Sequence, residues 1–150
     1  MRLRHLRRSG TSVVECAVVA PLVFIFVLAL MIGAIGIFRY QEVASLARRG
    51  ARYAIVHGTQ YAATSGNPAA TPADVYNNAI KPNAVALDLN KLSYSVTWNT
   101  TNAPTHGAVV NGSPVAIQNT VTVTVNYVWI PEAYFGGVTL SSTSVMVMSF

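Results

Sequence analysis

Charge is what this chain lacks most. Asp, Glu, Lys and Arg make up 10% of its 150 residues, while 52% are hydrophobic; a soluble domain usually carries about 25% charged residues. A plain cytosolic enzyme fits that balance poorly. The few charges are also unevenly placed. Arg2, Arg4, Arg7 and Arg8 occupy the first eight positions, Arg39, Arg48, Arg49 and Arg52 follow the main apolar run, and only Lys81 and Lys91 come later. The formal charge of +5 is therefore not the basic face of a nucleic-acid-binding domain, which needs its cations clustered on one folded surface. No nucleic-acid partner is expected. Cysteine is nearly absent: Cys16 alone excludes an internal disulfide and a cysteine-based zinc site. His57 and His106 stand far apart in no metal-binding spacing, and there is no HExxH, GxSxG or phosphate-binding glycine loop. No catalytic residue, metal site or cofactor is expected, and the chain does not read as an enzyme.

What the sequence does have is one long apolar run. From Cys16 to Phe38, 23 residues carry no charge, and a membrane-spanning helix needs roughly 20 predominantly apolar residues. A buried core helix is the rival reading, but a helix apolar all round needs more protein to surround it than a chain of this size supplies. A cleaved secretory signal has a shorter apolar region, about 7–15 residues. The helical pattern also continues past Phe38. Val43, Leu46, Ala47, Gly50, Ala51, Ala54 and Ile55 recur at spacings of three and four, with Arg48, Arg49 and Arg52 on the other side. A helix from about Ser12 to His57 is predicted, roughly 70 Å long, with Gly58 as its stop signal. Less than half of it fits in a bilayer, so the remainder forms a stalk. Four arginines on each side of the span leave the positive-inside count tied. The low-charge, Thr-, Ser-, Asn- and Val-rich remainder breaks the tie: it suits an exported β-rich domain, with the N-terminus cytoplasmic.

The segment entering the helix is Arg7-Arg8-Ser9-Gly10-Thr11-Ser12-Val13-Val14-Glu15. Ser12-x-x-Glu15 is a capping box, with Glu15 favoured by the positive helix N-terminus. A second reading starts from Gly10. A glycine, four residues, then a glutamate opening a long apolar helix, all preceded by basic residues, is the prepilin pattern. Pro21 follows six residues after Glu15 and removes one backbone hydrogen bond, favouring a kink. Cys16 follows Glu15 directly; a lipidated cysteine needs a small residue before it, so Cys16 reads as a small buried hydrophobe.

Beyond the stalk, Thr59 to Thr71 has no strong periodicity and reads as a surface loop. Thr71-Pro72-Ala73-Asp74 supplies an N-cap, a first-turn proline and an acid, predicting a short helix from Pro72 to about Lys81, broken at Pro82. Period-two alternation predicts strands over Leu92–Trp98 and Val121–Trp129. A third fits Val138–Met148, where the phase shifts near Ser142–Ser144 as a bulge would cause. Asn111-Gly112 is a hairpin-turn dipeptide. The expected product is an antiparallel sheet of three or four strands, its apolar face against the small-residue stripe of the stalk. Tyr127, Trp129, Tyr134 and Phe135 are candidates for an adhesive or inter-subunit surface, although alternate aromatics more often belong to a buried strand face.

These residues resemble the TadE-like minor pilins, or pseudopilins, of the tight-adherence (Flp) pilus system. That family opens with a pattern like V-E-F-A-x-x-x-P; here Val14-Glu15-Cys16-Ala17 leads to Pro21-Leu22-Val23, with Cys16 where an aromatic is usual. Its stalk resembles A-x-x-A-A-R-x-G-A-R-Y-A; here Ala47-Arg48-Arg49-Gly50-Ala51-Arg52-Tyr53-Ala54 follows Val43-Ala44-Ser45-Leu46, so Arg48, Gly50, Arg52 and Tyr53 carry the stalk motif. The resemblance implies an α+β, pilin-like fold: a long N-terminal transmembrane and stalk helix packed on a small antiparallel β-sheet. It implies a leader at 1–10, a transmembrane and stalk helix at 11–58 and an exported domain at 59–150. Cleavage would fall between Gly10 and Thr11, by a prepilin peptidase on the cytoplasmic side, and Glu15 would pair with the new amino terminus of a neighbouring subunit during assembly. The implied role is a structural subunit acting in pilus assembly, adherence and biofilm formation. Its partners would be the peptidase, other pilin-like subunits, an inner-membrane assembly platform and the lipid bilayer. It would be a single-pass inner-membrane protein, entering a surface pilus if incorporated. The alternative is an unprocessed, signal-anchored protein presenting a periplasmic binding module.

Overall fold

The computed structural model describes residues 9–131 and 136–150. Helix α1 spans Ser9–Val56, 48 residues, and passes through Pro21. Two bodies divide the chain, one ending at Ile35 and the other running from Gly36 to Phe150. In the first, none of the apolar window is buried inside the protein, and Val14, Leu22, Phe24 and Phe26 are all exposed. A core helix would be covered by its own chain. This one has the length and composition to cross a membrane.

The second body builds its core on the far half of α1. Val43, Ala44, Leu46, Ala47, Gly50, Ala51 and Ala54 are buried, which is the small-residue stripe read from the spacing. The stripe faces a three-stranded antiparallel sheet in the order β1-β4-β5, with β1 at Leu92–Trp98, β4 at Thr120–Trp129 and β5 at Val138–Val147. The central strand alternates without a break: Val121, Val123, Val125, Tyr127 and Trp129 are buried, with more exposed residues between them. Burying each of the larger side chains contributes about 1.5–3 kcal/mol. The contacts along α1 show how the two elements lie. Trp129 meets Gly36, and Val123 meets Gly50. Fourteen helical residues span about 21 Å and six strand residues about 20 Å, so β4 runs alongside α1 in the opposite direction. Glycine at 50 makes the approach possible: a Cβ there would lie 3.0 Å from Val123 Cγ1 and 3.4 Å from Ile80.

The third strand has no bulge. Its pairing with β4 is continuous from Thr120↔Val147 to Trp129↔Val138, with Ser142 opposite Val125 and Ser144 opposite Val123. Serines sit on the inner face, and Val145 and Val147 point outward and are exposed. That exchange of polarity imitates a phase shift while the geometric alternation persists. The segment between β1 and β4 forms a separate two-stranded sheet, β2 at Thr105–Val110 and β3 at Ser113–Gln118. Asn111 (φ 51°) and Gly112 (φ 82°) form its tip, the pair of positive φ values that a type I′ turn requires. The hairpin is tied to the sheet through Asn119, whose side chain is fully buried. Its amide donates to Thr101 Oγ1 and the Ala103 carbonyl, and its Oδ1 accepts from His106 Nδ1 at 2.7 Å.

Two local expectations change. The stretch after Gly58 is a helix before it is a loop: α2 spans Thr59–Ser65 and ends at Gly66, whose φ is +74°. It buries no residue, so no hydrophobic period announces it. Thr64 and Ser65 hydroxyls donate back to the carbonyls of Gln60 and Tyr61. Helix α3, Pro72–Val75, starts as read, with Thr71 as N-cap and a reciprocal bond to Asp74. It then widens into a π turn over Tyr76–Ile80 and tightens into a 3₁₀ turn over Lys81–Asn83, which carries the chain past Pro82. Thr71 hydroxyl and backbone N–H both donate to the Asp74 carboxylate, and they hold its pKa below the usual carboxylate value.

Candidate functional site

The residues expected to serve processing or assembly, Gly10, Thr11 and Glu15, lie in the N-terminal part of α1. Residues 9–12 are already helical, so Ser12 is inside α1 and cannot be the N-cap; this corrects the capping-box reading. Glu15 lies inside the helix. Glu15 is exposed, and among the described residues it forms no ion pair. Removing residues 1–10 would return Glu15 to fifth position, close to a free amino terminus. Gly10 and Thr11 are helical in backbone. Glycine costs about 1 kcal/mol relative to alanine inside a helix, so Gly10 makes the helix easier to unwind at the Gly10–Thr11 peptide. Cys16 is an exposed free thiol in this chain, which corrects its reading as buried. It lies in the apolar run, where its cover would be lipid or another subunit. The arginines before Ser9 lie outside the described residues.

The stalk motif divides between packing and surface. Gly50 is buried against the sheet, while Arg48 and Arg52 are exposed. Arg49 NH1 donates to Asn83 Oδ1, fastening α1 to the 3₁₀ turn. Tyr53 is half-buried and accepts from Asn78 Nδ2 at 3.2 Å. Its ring stacks on His57 at 4.0 Å between centroids, and His57 meets Tyr61 at 4.7 Å. These rings, with Asn67, Pro68, Asp74 and Asn78, line an open cleft of about 250 Å³. The structure therefore keeps Glu15 and the stalk motif on one helix and gathers only Tyr53, of the candidate residues, into a concavity.

Two positions escaped the sequence reading. Arg39 and Glu42, one turn apart, hold the same residue: Arg39 NH1 donates to the Ala86 carbonyl at 2.9 Å, and Glu42 Oε1 accepts from the Ala86 N–H at 3.0 Å. Arg39 also reaches Tyr127 Oη at 3.4 Å, with its guanidinium over the ring. The only sequence signal was that Arg39 is the first charge after the apolar run. Gly58, the predicted stop signal, lies just past the end of α1 at Val56, with φ −84°. It is where the chain crosses itself. Thr59 N–H donates to the Asn102 carbonyl at 2.7 Å, and Ser149 and Phe150 N–H groups donate to the Ile55 carbonyl, capping the end of α1. Tyr127 and Trp129, two of the aromatic candidates, are core residues; Tyr134 and Phe135 lie outside the described residues.

No curated protein and no solved structure matches the chain. Residues 10–52 match the family model described as TadE-like protein, and the chain is similar to that family from Gly10 through Glu15, Pro21 and the stalk to Arg52.

Proposed function

We propose that this chain is a pilin-like structural subunit of the tight-adherence pilus machinery. The observation that carries the reading is the TadE-like match over residues 10–52, which contains Gly10, Thr11, Glu15, Pro21, Arg48, Gly50 and Arg52. The unburied apolar half of α1 supports it, because that surface needs lipid or neighbouring helices to cover it. The subunit inserts with its N-terminus in the cytoplasm and residues 59–150 outside. A prepilin peptidase removes residues 1–10, and the new Thr11 amine and Glu15 become available to neighbouring subunits. Both groups are poorly solvated in an apolar setting, so pairing offsets a desolvation cost that neither bears well alone. Pro21 leaves the Ala17 carbonyl without its helical donor, giving α1 a place to bend between membrane and fibre. The role is structural, in pilus assembly and through it in adherence and biofilm formation, with an inner-membrane platform and other pilin-like subunits as partners.

A signal-anchored protein that keeps its first ten residues is the second reading, and the helical backbone at Gly10–Thr11 favours it. Shearing cells and comparing the released filaments with the membrane separates the two. Thr11-headed protein is expected in the sheared fraction of pilus-forming cells. Protein that stays in the membrane whether or not pili form would establish the signal-anchored reading instead.

A further inference from the structure

We propose that the end of the folded body nearest the apolar run is itself a lipid-contacting surface, seated in the outer interface of the bilayer; this rests on the membrane reading of α1. The position follows from helix length. At about 1.5 Å per residue, the twenty residues from Cys16 to Gly36 span about 30 Å, the thickness of a hydrocarbon core. Gly36 is therefore the level at which the chain leaves hydrocarbon. At that level the Trp129 ring lies against Gly36, so close that a Cβ there would come within 2.7 Å of it. The end of β4 and the start of β5, paired through Trp129↔Val138, are thereby fixed beside the bilayer surface.

The side chains gathered there suit lipid. Ile37, Phe38 and Tyr40 on α1, and Val128, Ile130 and Val138 around the β4–β5 end, are each between 42% and 66% exposed. Val128 and Ile130 flank Gly137, their Cγ1 atoms 3.5 and 3.9 Å from where its Cβ would be, so they form one patch. The next layer out is polar and aromatic: Arg39 bonded to the Ala86 carbonyl and Tyr127. Apolar residues followed by Trp, Tyr and Arg is the order of a membrane–water interface. The opposite end of the sheet carries the other tryptophan. Trp98 pairs with Val121, eight residues along β4 from Trp129, about 27 Å away.

Two tryptophans at opposite ends supply the test. The full chain is reconstituted in phosphatidylcholine–phosphatidylglycerol vesicles whose acyl chains are brominated near the headgroup, and emission is compared with unbrominated vesicles. In W98F, which keeps Trp129, most of the emission should be lost; in W129F, which keeps Trp98, none. The unsubstituted protein should lose only the Trp129 share, which guards against misfolding of either variant. I130E with V138E, leaving Gly36 and Trp129 in place, should restore Trp129 emission while the protein still floats with the vesicles. Unquenched Trp129 in floating protein would overturn the proposal and leave the membrane reading standing. Equal quenching of both tryptophans would overturn it too, as would quenching that vanishes as protein density rises, which would assign the patch to a second copy. Protein that fails to float would remove the membrane reading along with it.

Discussion

Replacing Gly58 with alanine should release the end of the chain from α1 and destabilise the folded body by about 3 kcal/mol or more. The backbone conformation is not the obstacle, since a φ of −84° suits any residue. Space is. An added Cβ would sit 2.6 Å from the Asn102 carbonyl oxygen and closer still to that of Phe150. Both are backbone atoms, so neither can swing aside as a side-chain tip would. The same crossing holds the Thr59–Asn102 bond and the two N–H donors that satisfy the Ile55 carbonyl. Separating the strands to admit a methyl breaks these bonds, and a buried group left unpaired costs about 1–3 kcal/mol. Thermal or urea melts in detergent, followed by tryptophan emission, measure the loss. A melting curve within 0.5 kcal/mol of the parent would show that this crossing does not hold the body together.

Replacing Glu15 with alanine should leave folding intact and stop assembly. The folded body begins at Gly36, about 30 Å along the helix from Glu15, so its melting curve should not move. Insertion should also survive, because removing an acid from an apolar span lowers the cost of insertion. The loss would fall on the proposed pair with the neighbouring amine. Removing one partner of a buried ion pair costs about 3–5 kcal/mol, equivalent to about two to three and a half orders of magnitude in the association constant. Sheared filaments quantified by immunoblot should contain subunit below detection, with membrane levels unchanged. E15Q, which keeps the shape without the charge, should fail in the same way. Normal incorporation of E15A would remove the assembly role from Glu15.

The contrast between these two positions explains what could be read from sequence. Glu15 was visible because its neighbours in sequence give it meaning: a glycine five residues before, a proline six after and an apolar run between. The strands were visible for the same reason, as Tyr94, Val96, Val123 and Val125 each alternate with polar neighbours. Gly58 could be identified as a break but not explained, because its constraints come from Asn102 and Phe150, 44 and 92 residues away. The Arg39–Glu42 hold on Ala86 was hidden likewise. Helix α2 gave no signal because it buries nothing, and β5 resembles a bulged strand in sequence because Ser142 and Ser144 face inward while Val145 and Val147 point outward. Ser12 and Glu15 matched a capping box by spacing alone, while the helix already includes the three residues before Ser12.

The charge scarcity also takes a clearer form. Cleavage after Gly10 would remove four arginines, reducing ten basic residues to six against five acids and the formal charge from +5 to +1. What remains would be nearly neutral, and on the proposed reading its assembly would depend on apolar helix packing and one carboxylate. That rests on the cleavage itself, which intact mass tests directly. The protein is extracted from membranes of cells that either contain or lack the prepilin peptidase. The account predicts a mass lower by residues Met1 to Gly10 in the first and the full-length mass in the second. Full-length mass in both would contradict it.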